Sequence, residues 1–594
     1  MDSANTELSQ DTFLVGIGAS PGVAIGEVYL VERSRVRAVE RRIPASEVAS
    51  EIASFHEAVA QAKHQLKDVK EQVADHAVSE HLYILDAHLL ILEDEMLLRE
   101  TIKGIERDLL NAQGALKRAL ARFRDVFEHM EDDYLRARQW DVETVGERIM
   151  RNLTGTRQTS LQEIDRPVIL LAHDLSPADT LQMDREKIIA FVTDVGGRTS
   201  HTAILARSLG IPAVVGLETV TTLIPPGSQV VVDGGNGTLI VNPEEETLQE
   251  YRGRQSLYRD LEAQLGAYRE LPAQSLDGER IGLFCNLELP DEIDLVRRHG
   301  AEGIGLFRTE FLFMRRNTPP DEEEQFRIYR QAVEGMAPHP VTLRTLDVGG
   351  DKFVPEFNLS DEANPAMGLR AVRFSLRERR LFRQQLRAML RASAFGNARI
   401  LFPMITGVCE WRQCREILDE VRQELVAEGA PMADKVPAGV MIETPAAALI
   451  ADLLAHEADF FSVGTNDLIQ YCLAVDRGNE HVAYLYDPTH PAILRALLNI
   501  GAAARDAGIP ACVCGEMASE PLYALVLLAL GFNELSMHAS GIPHVKRLLR
   551  QAYRHEADEL LSQLLSFTTS REVASHLEES MAKRFPEIFS PKPI

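Results

Sequence analysis

Two hydrophobic rhythms divide this chain. From Val48 the apolar positions Val48, Ile52, Phe55, Val59, Ala62, Leu66, Val69 and Val73 alternate spacings of four and three, the stripe of an amphipathic helix of coiled-coil type. Leu82, Leu85, Leu89, Leu92 and Met96 predict a second helix, Leu110, Leu116, Leu120, Phe123 and Phe127 a third, and Trp140, Val145 and Ile149 a fourth. Together they predict a helical hairpin bundle. On either side the period shortens. Residues 13–17 and 27–31 read as two strands around the turn Ser20-Pro21-Gly22, and residues 167–171, 188–192, 213–215, 230–232 and 239–241 read as five more. Two strands cannot close a core alone. Joining the first pair to the later set makes the bundle, residues 37–157, an insertion into one α/β domain formed by residues 1–36 and 158–242. The bundle carries no paired carboxylates or metal-ligand spacing, so binding rather than chemistry is expected there.

After Asn242-Pro243, a cap and first-turn proline, the charged residues 243–270 predict a linker helix. From there to residue 594 a strand-then-helix unit repeats. Its strands are predicted at 281–286, 303–307, 341–346, 399–404, 438–442, 460–463, 511–514 and 534–537. Eight such runs in about 300 residues match a (β/α)8 TIM barrel, whose active site lies at the C-terminal strand ends. The fold class expected is therefore α/β multidomain.

That expectation directs attention to the polar residue ending each run. Arg308 and Arg344, from strands two and three, suit bidentate binding of a small multiply charged anion. Glu443 and Asp467, from strands five and six, are a carboxylate pair able to hold Mg2+ for phosphoryl chemistry. Cys514 would face the same mouth as a protonated thiol. Taken singly, each is equally a surface ion pair or a small buried hydrophobe; five compatible groups on five strand ends are not. A second candidate lies upstream. Gly196-Gly197-Arg198-Thr199-Ser200-His201-Thr202-Ala203 follows a buried strand and opens a helix. There the glycines allow close approach of a ligand, and the helix N-terminus favours a phosphate while keeping His201 neutral and nucleophilic. Alone, the same pattern serves as an ordinary polar helix cap.

Composition narrows the classes. The chain has 594 residues and a net charge of -26, which argues against nucleic-acid or anionic-membrane surfaces. Residues 1–11 lack a signal peptide's basic and apolar regions, the most apolar stretch, 524–532, is too short to span a bilayer, and the six cysteines show no metal or disulfide spacing. A cytoplasmic location is expected. Gly349-Gly350-Asp351-Lys352 lacks the spacing of an ATP-binding phosphate loop, so any phosphate donor must be the small molecule in the barrel.

From about Leu14 to Leu549 the chain resembles the enzyme I family of the bacterial phosphoenolpyruvate-dependent sugar phosphotransferase system. The resemblance is carried by Ser20-Pro21-Gly22, by Gly196 to Arg207, by Gly303-x-Gly305-Leu306-Phe307-Arg308-Thr309-Glu310-Phe311-Leu312, by Leu346-Asp347-Val348-Gly349-Gly350-Asp351-Lys352, by Gly464-Thr465-Asn466-Asp467-Leu468, and by Cys514-Gly515-Glu516. It implies His201 as the phosphohistidine, Arg308, Arg344, Asn466, Asp467 and Arg477 as phosphoenolpyruvate contacts, Glu443 and Asp467 as Mg2+ ligands, and Cys514 as the proton donor that yields pyruvate. It also implies that the bundle docks the carrier protein HPr and that the barrel forms a homodimer. Three other readings stand beside this one: a pyruvate phosphate dikinase-like enzyme, which needs an ATP-binding domain, the nitrogen-related paralogue acting on a different carrier, and a non-catalytic phosphoenolpyruvate sensor.

Overall fold

The computed structural model describes residues 10–31, 40–73, 88–89, 91–92, 94–128, 133–155, 164–173, 175, 187–197, 202, 206, 210–313, 318–348, 364–477, 479 and 481–589. The chain divides into two units, Met1–Glu262 and Ala263–Ile594.

In the first unit eight strands make one sheet: β1 Thr12–Val15, β2 Ile17–Ser20, β3 Val23–Leu30, β4 Val168–Ala172, β5 Ile188–Thr193, β6 Ala213–Val215, β7 Gln229–Asp233 and β8 Thr238–Val241, in the order β1-β8-β7-β3-β4-β5-β6-β2. The N-terminal stretch contains three strands where the sequence pattern predicts two. The break is at Gly16, where a Cβ would lie 2.7 Å from the Val215 carbonyl oxygen. A side chain cannot be fitted there, and the chain splits so that β1 pairs with β8 and β2 with β6, at opposite ends of the sheet. β3 joins the two halves, antiparallel to β7 and parallel to β4. The strands before and after the helical excursion thus share one sheet.

The helices Val48–Val73, Glu95–Arg107, Ala112–Glu128 and Asp133–Thr154 lie between β3 and β4 in the chain. Phe55, Ala62, Leu66, Leu92, Leu97, Ile105, Leu116, Val145 and Ile149 form their core. Met96, predicted to continue the second helix, instead starts a new one. Asp94 is extended and its carboxylate accepts from the N–H groups of Met96 and Leu97 at 2.8 and 3.0 Å, a helix start written by an N-cap. Residues 74–87, which hold the beginning of the predicted second helix, lie outside the described residues.

The second unit is a closed parallel barrel of β9 Gly282–Leu287, β10 Ile304–Phe307, β11 Pro340–Arg344, β12 Asn397–Phe402, β13 Ala438–Ile442, β14 Phe460–Val463, β15 Ala511–Val513 and β16 Glu534–Met537, each paired with the next and β16 with β9. Leu306, Leu401, Met441, Phe460 and Cys514, from β10, β12, β13, β14 and the end of β15, form a buried cluster inside the barrel, which is packed with side chains and is no pore. Beneath it Arg399 donates to both Glu534 oxygens at 3.0 Å. The helix Glu245–Tyr268 precedes the barrel. Among the described residues no helix is long and apolar enough to cross a membrane.

Candidate active site

Parallel strands deliver their C-terminal residues to one mouth, and the barrel brings six charged groups together there. Arg344, the last residue of β11, donates from Nη1 to Asp347 Oδ2 at 2.8 Å and from Nη2 to Glu310. Arg370 donates to Asp347 Oδ1 at 3.0 Å, Asp467 Oδ2 at 3.2 Å and the Tyr471 hydroxyl at 3.1 Å. Burial opposes the charge of both guanidiniums, but the carboxylates outweigh it, chiefly Asp347 with Glu310 for Arg344 and Asp347 with Asp467 for Arg370, and hold both above the usual arginine range.

Ligand oxygens of Asp347, Glu443 and Asp467 lie within 4.8 Å of one another. Glu443, 1% exposed, follows β13 and accepts from the Met404 N–H at 2.6 Å. Met404 itself is left-handed, with φ 55°, backbone strain of the kind found at ligand sites. Burial, then Asp347 and Asp467, push Glu443 well above the ordinary carboxylate range. Three oxygen donors so close, one of them buried, fit a hard divalent cation. Their approach depends on Gly464, where a Cβ would meet Glu443 Oε2 at 2.7 Å and the Met441 methyl carbon at 2.9 Å. Glu310 Oε2, Arg344 Nε and Thr465 Oγ1 are buried without a hydrogen-bond partner, polar capacity that a ligand would satisfy.

The remaining predicted residues ring this cluster. Arg308 follows β10 and pairs with Glu288 at 2.9 Å. Asn466 and Arg477 both donate to Glu516, at 3.1 and 3.3 Å, and Asn466 accepts from the Glu516 N–H at 2.9 Å. Gly515 admits this contact; a Cβ there would lie 1.9 Å from Thr465 Oγ1. Cys514 follows β15, 2% exposed. Burial pushes its thiol up to about 11, against the opposing pull of the Ser462 hydroxyl and Arg344, so the thiol is protonated near neutral pH. The reference thiol expected from sequence is therefore a weaker acid here than it is in water.

His201 and Lys352 lie outside the described residues. The approach to the histidine is described. Asp194, 3% exposed, accepts from the Thr221 N–H at 3.0 Å and from its hydroxyl, and lies 3.0 Å from His173 Nδ1. Gly216 (φ 74°) would bring a Cβ within 3.0 Å of the Gly196 carbonyl. These contacts fix the strand end that leads into the glycine turn.

Sequence reasoning missed Asp347, Arg370 and Glu310 as members of the cluster. Asp347 and Glu310 stood inside motifs quoted for their resemblance, three residues beyond Arg344 and two beyond Arg308; a reading confined to the first polar residue after each strand passes over both. Arg370 follows a long connection, and no periodicity marks it.

Residues 262–554 match the family described as PEP-utilising enzyme, PEP-binding domain, residues 15–138 its N-terminal region, and residues 164–237 its mobile domain. A phosphoenolpyruvate-protein phosphotransferase of Bacillus sp. (strain S) is 42% identical over 96% of this chain and 98% of its own length. Those of Bacillus subtilis and Geobacillus stearothermophilus are also 42% identical, over 96% of this chain and 99% and 98% of theirs.

Proposed function

The chain belongs to the phosphoenolpyruvate-protein phosphotransferase family, and from that premise we propose that it moves the phosphoryl group of phosphoenolpyruvate to His201, releases pyruvate, and passes the group on to the carrier protein HPr. The reading is carried by the convergence at one barrel mouth of three carboxylates, buried arginines and a buried protonated thiol. Asp347, Glu443 and Asp467 would hold Mg2+, which when bound supplies positive charge for the phosphate and enolate oxygens. Arg308, Arg344, Asn466 and Arg477 bind and orient the substrate anion, and Arg370 keeps Asp347 and Asp467 together. His201, neutral beside the helix N-terminus, attacks phosphorus in line. Cys514 then gives its proton to the methylene carbon, which drives the transfer forward by converting the enolate to pyruvate.

In this scheme residues 1–36 and 158–242 form the phosphohistidine domain, 37–157 the HPr-docking bundle, and 271–594 the substrate and homodimerisation domain, all acting in the cytoplasm. The test is incubation with labelled phosphoenolpyruvate and Mg2+ followed by mapping of the label. The parent protein gains label on His201 and loses it to added HPr. His201→Ala gains none, and a stable label on another residue of that variant would sink the assignment.

A further inference from the structure

Cys514 sits in a buried cluster that is otherwise apolar, with Leu306, Leu401, Met441 and Phe460, yet polar atoms from two other strands, β14 and β9, address it. Ser462, in β14 and fully buried, donates its hydroxyl to Cys514 Sγ at 3.3 Å. The thiol in turn faces the Val463 carbonyl oxygen at 3.5 Å. Asn286 of β9 donates to the Cys514 carbonyl at 3.1 Å, and its own amide oxygen accepts from the Ser536 hydroxyl of β16 at 2.7 Å. Ser462 is flanked in β14 by Phe461 and Val463. Serine adds little to strand propensity, and a buried hydroxyl without a partner costs free energy; here the hydroxyl lies between two thiols, with its O–H given to the Cys514 sulfur at 3.3 Å and the buried thiol of its cross-strand partner Cys512 on its other side.

We propose that Ser462 is a positioning residue for carbon protonation, holding the Cys514 sulfur in place and stabilising it once its proton has left. The proposal rests on Cys514 being the proton donor. The S–H bond breaks and a C–H bond forms at the enolate methylene, using the enolate electron pair; the oxygen returns to a carbonyl, and the thiolate takes a proton from water. Val463 carbonyl favours the thiol before the step, and the serine hydroxyl favours the thiolate after it. Burial has already driven the thiol to about 11, so loss of this donor leaves the thiolate poorly supported.

The test compares Ser462→Ala with the parent in single-turnover pyruvate formation, in exchange of phosphate with phosphorylated HPr, and in alkylation of Cys514 by iodoacetamide followed by peptide mapping between pH 8 and 10. Ser462→Ala slows pyruvate formation about tenfold and slows Cys514 alkylation about tenfold at each pH, as expected for one hydrogen bond to a charged group, while phosphate exchange with HPr is unchanged. A loosened barrel would move alkylation the other way. Faster alkylation, or an unchanged rate of pyruvate formation, overturns the role of Ser462. Cys514→Ser run alongside separates the two layers: if it also forms pyruvate at the parent rate, Cys514 is not the donor, whereas a slow Cys514→Ser beside a fast Ser462→Ala removes the serine alone.

Discussion

Asp347→Asn should reverse the sign of its effect on substrate binding according to whether Mg2+ is present. Arg344 and Arg370 contribute two positive charges to the inner cluster and Asp347 and Asp467 two negative ones, while Glu310 and Glu443, both raised by burial, add two more as they ionise, so the balance falls from 0 to -2 as pH rises. A multiply charged anion approaching that cluster is repelled once the balance is negative. One unit charge at about 6 Å in an effective dielectric of about 20 is worth about 3 kcal/mol, and solvent at the open mouth cuts this to roughly tenfold in Kd. Asparagine keeps the shape and removes one negative charge, but it keeps an acceptor oxygen for only one of the two arginines and turns its amide NH2 toward the other. Calorimetry of phosphoenolpyruvate binding, in a His201→Ala background to prevent turnover, should therefore show Asp347→Asn binding more tightly than its parent in EDTA. In saturating Mg2+ the order should invert, because the cation has lost one of three anionic oxygens. A similar loss of affinity in both conditions would refute the charge argument and make Asp347 a holder of Arg344 and Arg370, which it touches at 2.8 and 3.0 Å.

Gly464→Ala should fold, with a stability loss of about 1–3 kcal/mol, yet lower kcat by about a hundredfold because its Cβ displaces Glu443; parent-like turnover at ordinary Mg2+ would show that Glu443 tolerates the shift. Cys514→Ser should lose most of its pyruvate-forming rate but still accept phosphate from phosphorylated HPr, and equal loss in both half-reactions would point instead to misfolding. Glu534→Ala, which leaves the half-buried Arg399 at the barrel floor without its bidentate partner, should cost about 1–3 kcal/mol in urea unfolding with the KM for phosphoenolpyruvate unchanged.

The barrel was legible because parallel strands buried on both faces are written as continuous apolar runs. Residues 438–442, 460–463 and 534–537 coincide with β13, β14 and β16. Helix periodicity likewise placed Val48–Val73. Two things escaped. Gly16 lies between β1 and β2 and lets the Val215 carbonyl come where a Cβ would meet it at 2.7 Å, a tertiary approach that the apolar pattern does not record. Arg370 joins the cluster only through folding of the connection after β11, whereas Glu443 and Asp467 could be found because strand ends announce themselves in sequence. The depth of Cys514 was equally invisible: a cysteine after a strand reads the same whether its thiol titrates as in water or is pushed up to about 11.

The arginines of the mouth fall into two physical classes, and the division bears on what each can do for a substrate under the proposed function. Arg344 and Arg370 are 7% and 15% exposed and are each held by two carboxylates. Breaking such buried pairs is strongly unfavourable, so these two form a fixed frame that keeps the metal-binding carboxylates in register, and Arg344 meets the substrate through its unpartnered Nε without giving up those pairs. Arg308 and Arg477, 32% and 46% exposed, each pair with one carboxylate, Glu288 and Glu516. Pairs of that kind are worth about 0–1 kcal/mol, little enough for an incoming phosphate or carboxylate to replace the internal partner. Glu288 and Glu516 therefore keep the outer guanidiniums pointed at the mouth until a better anion arrives, so the reorganisation that accompanies binding is confined to the rim while the inner cluster stays still.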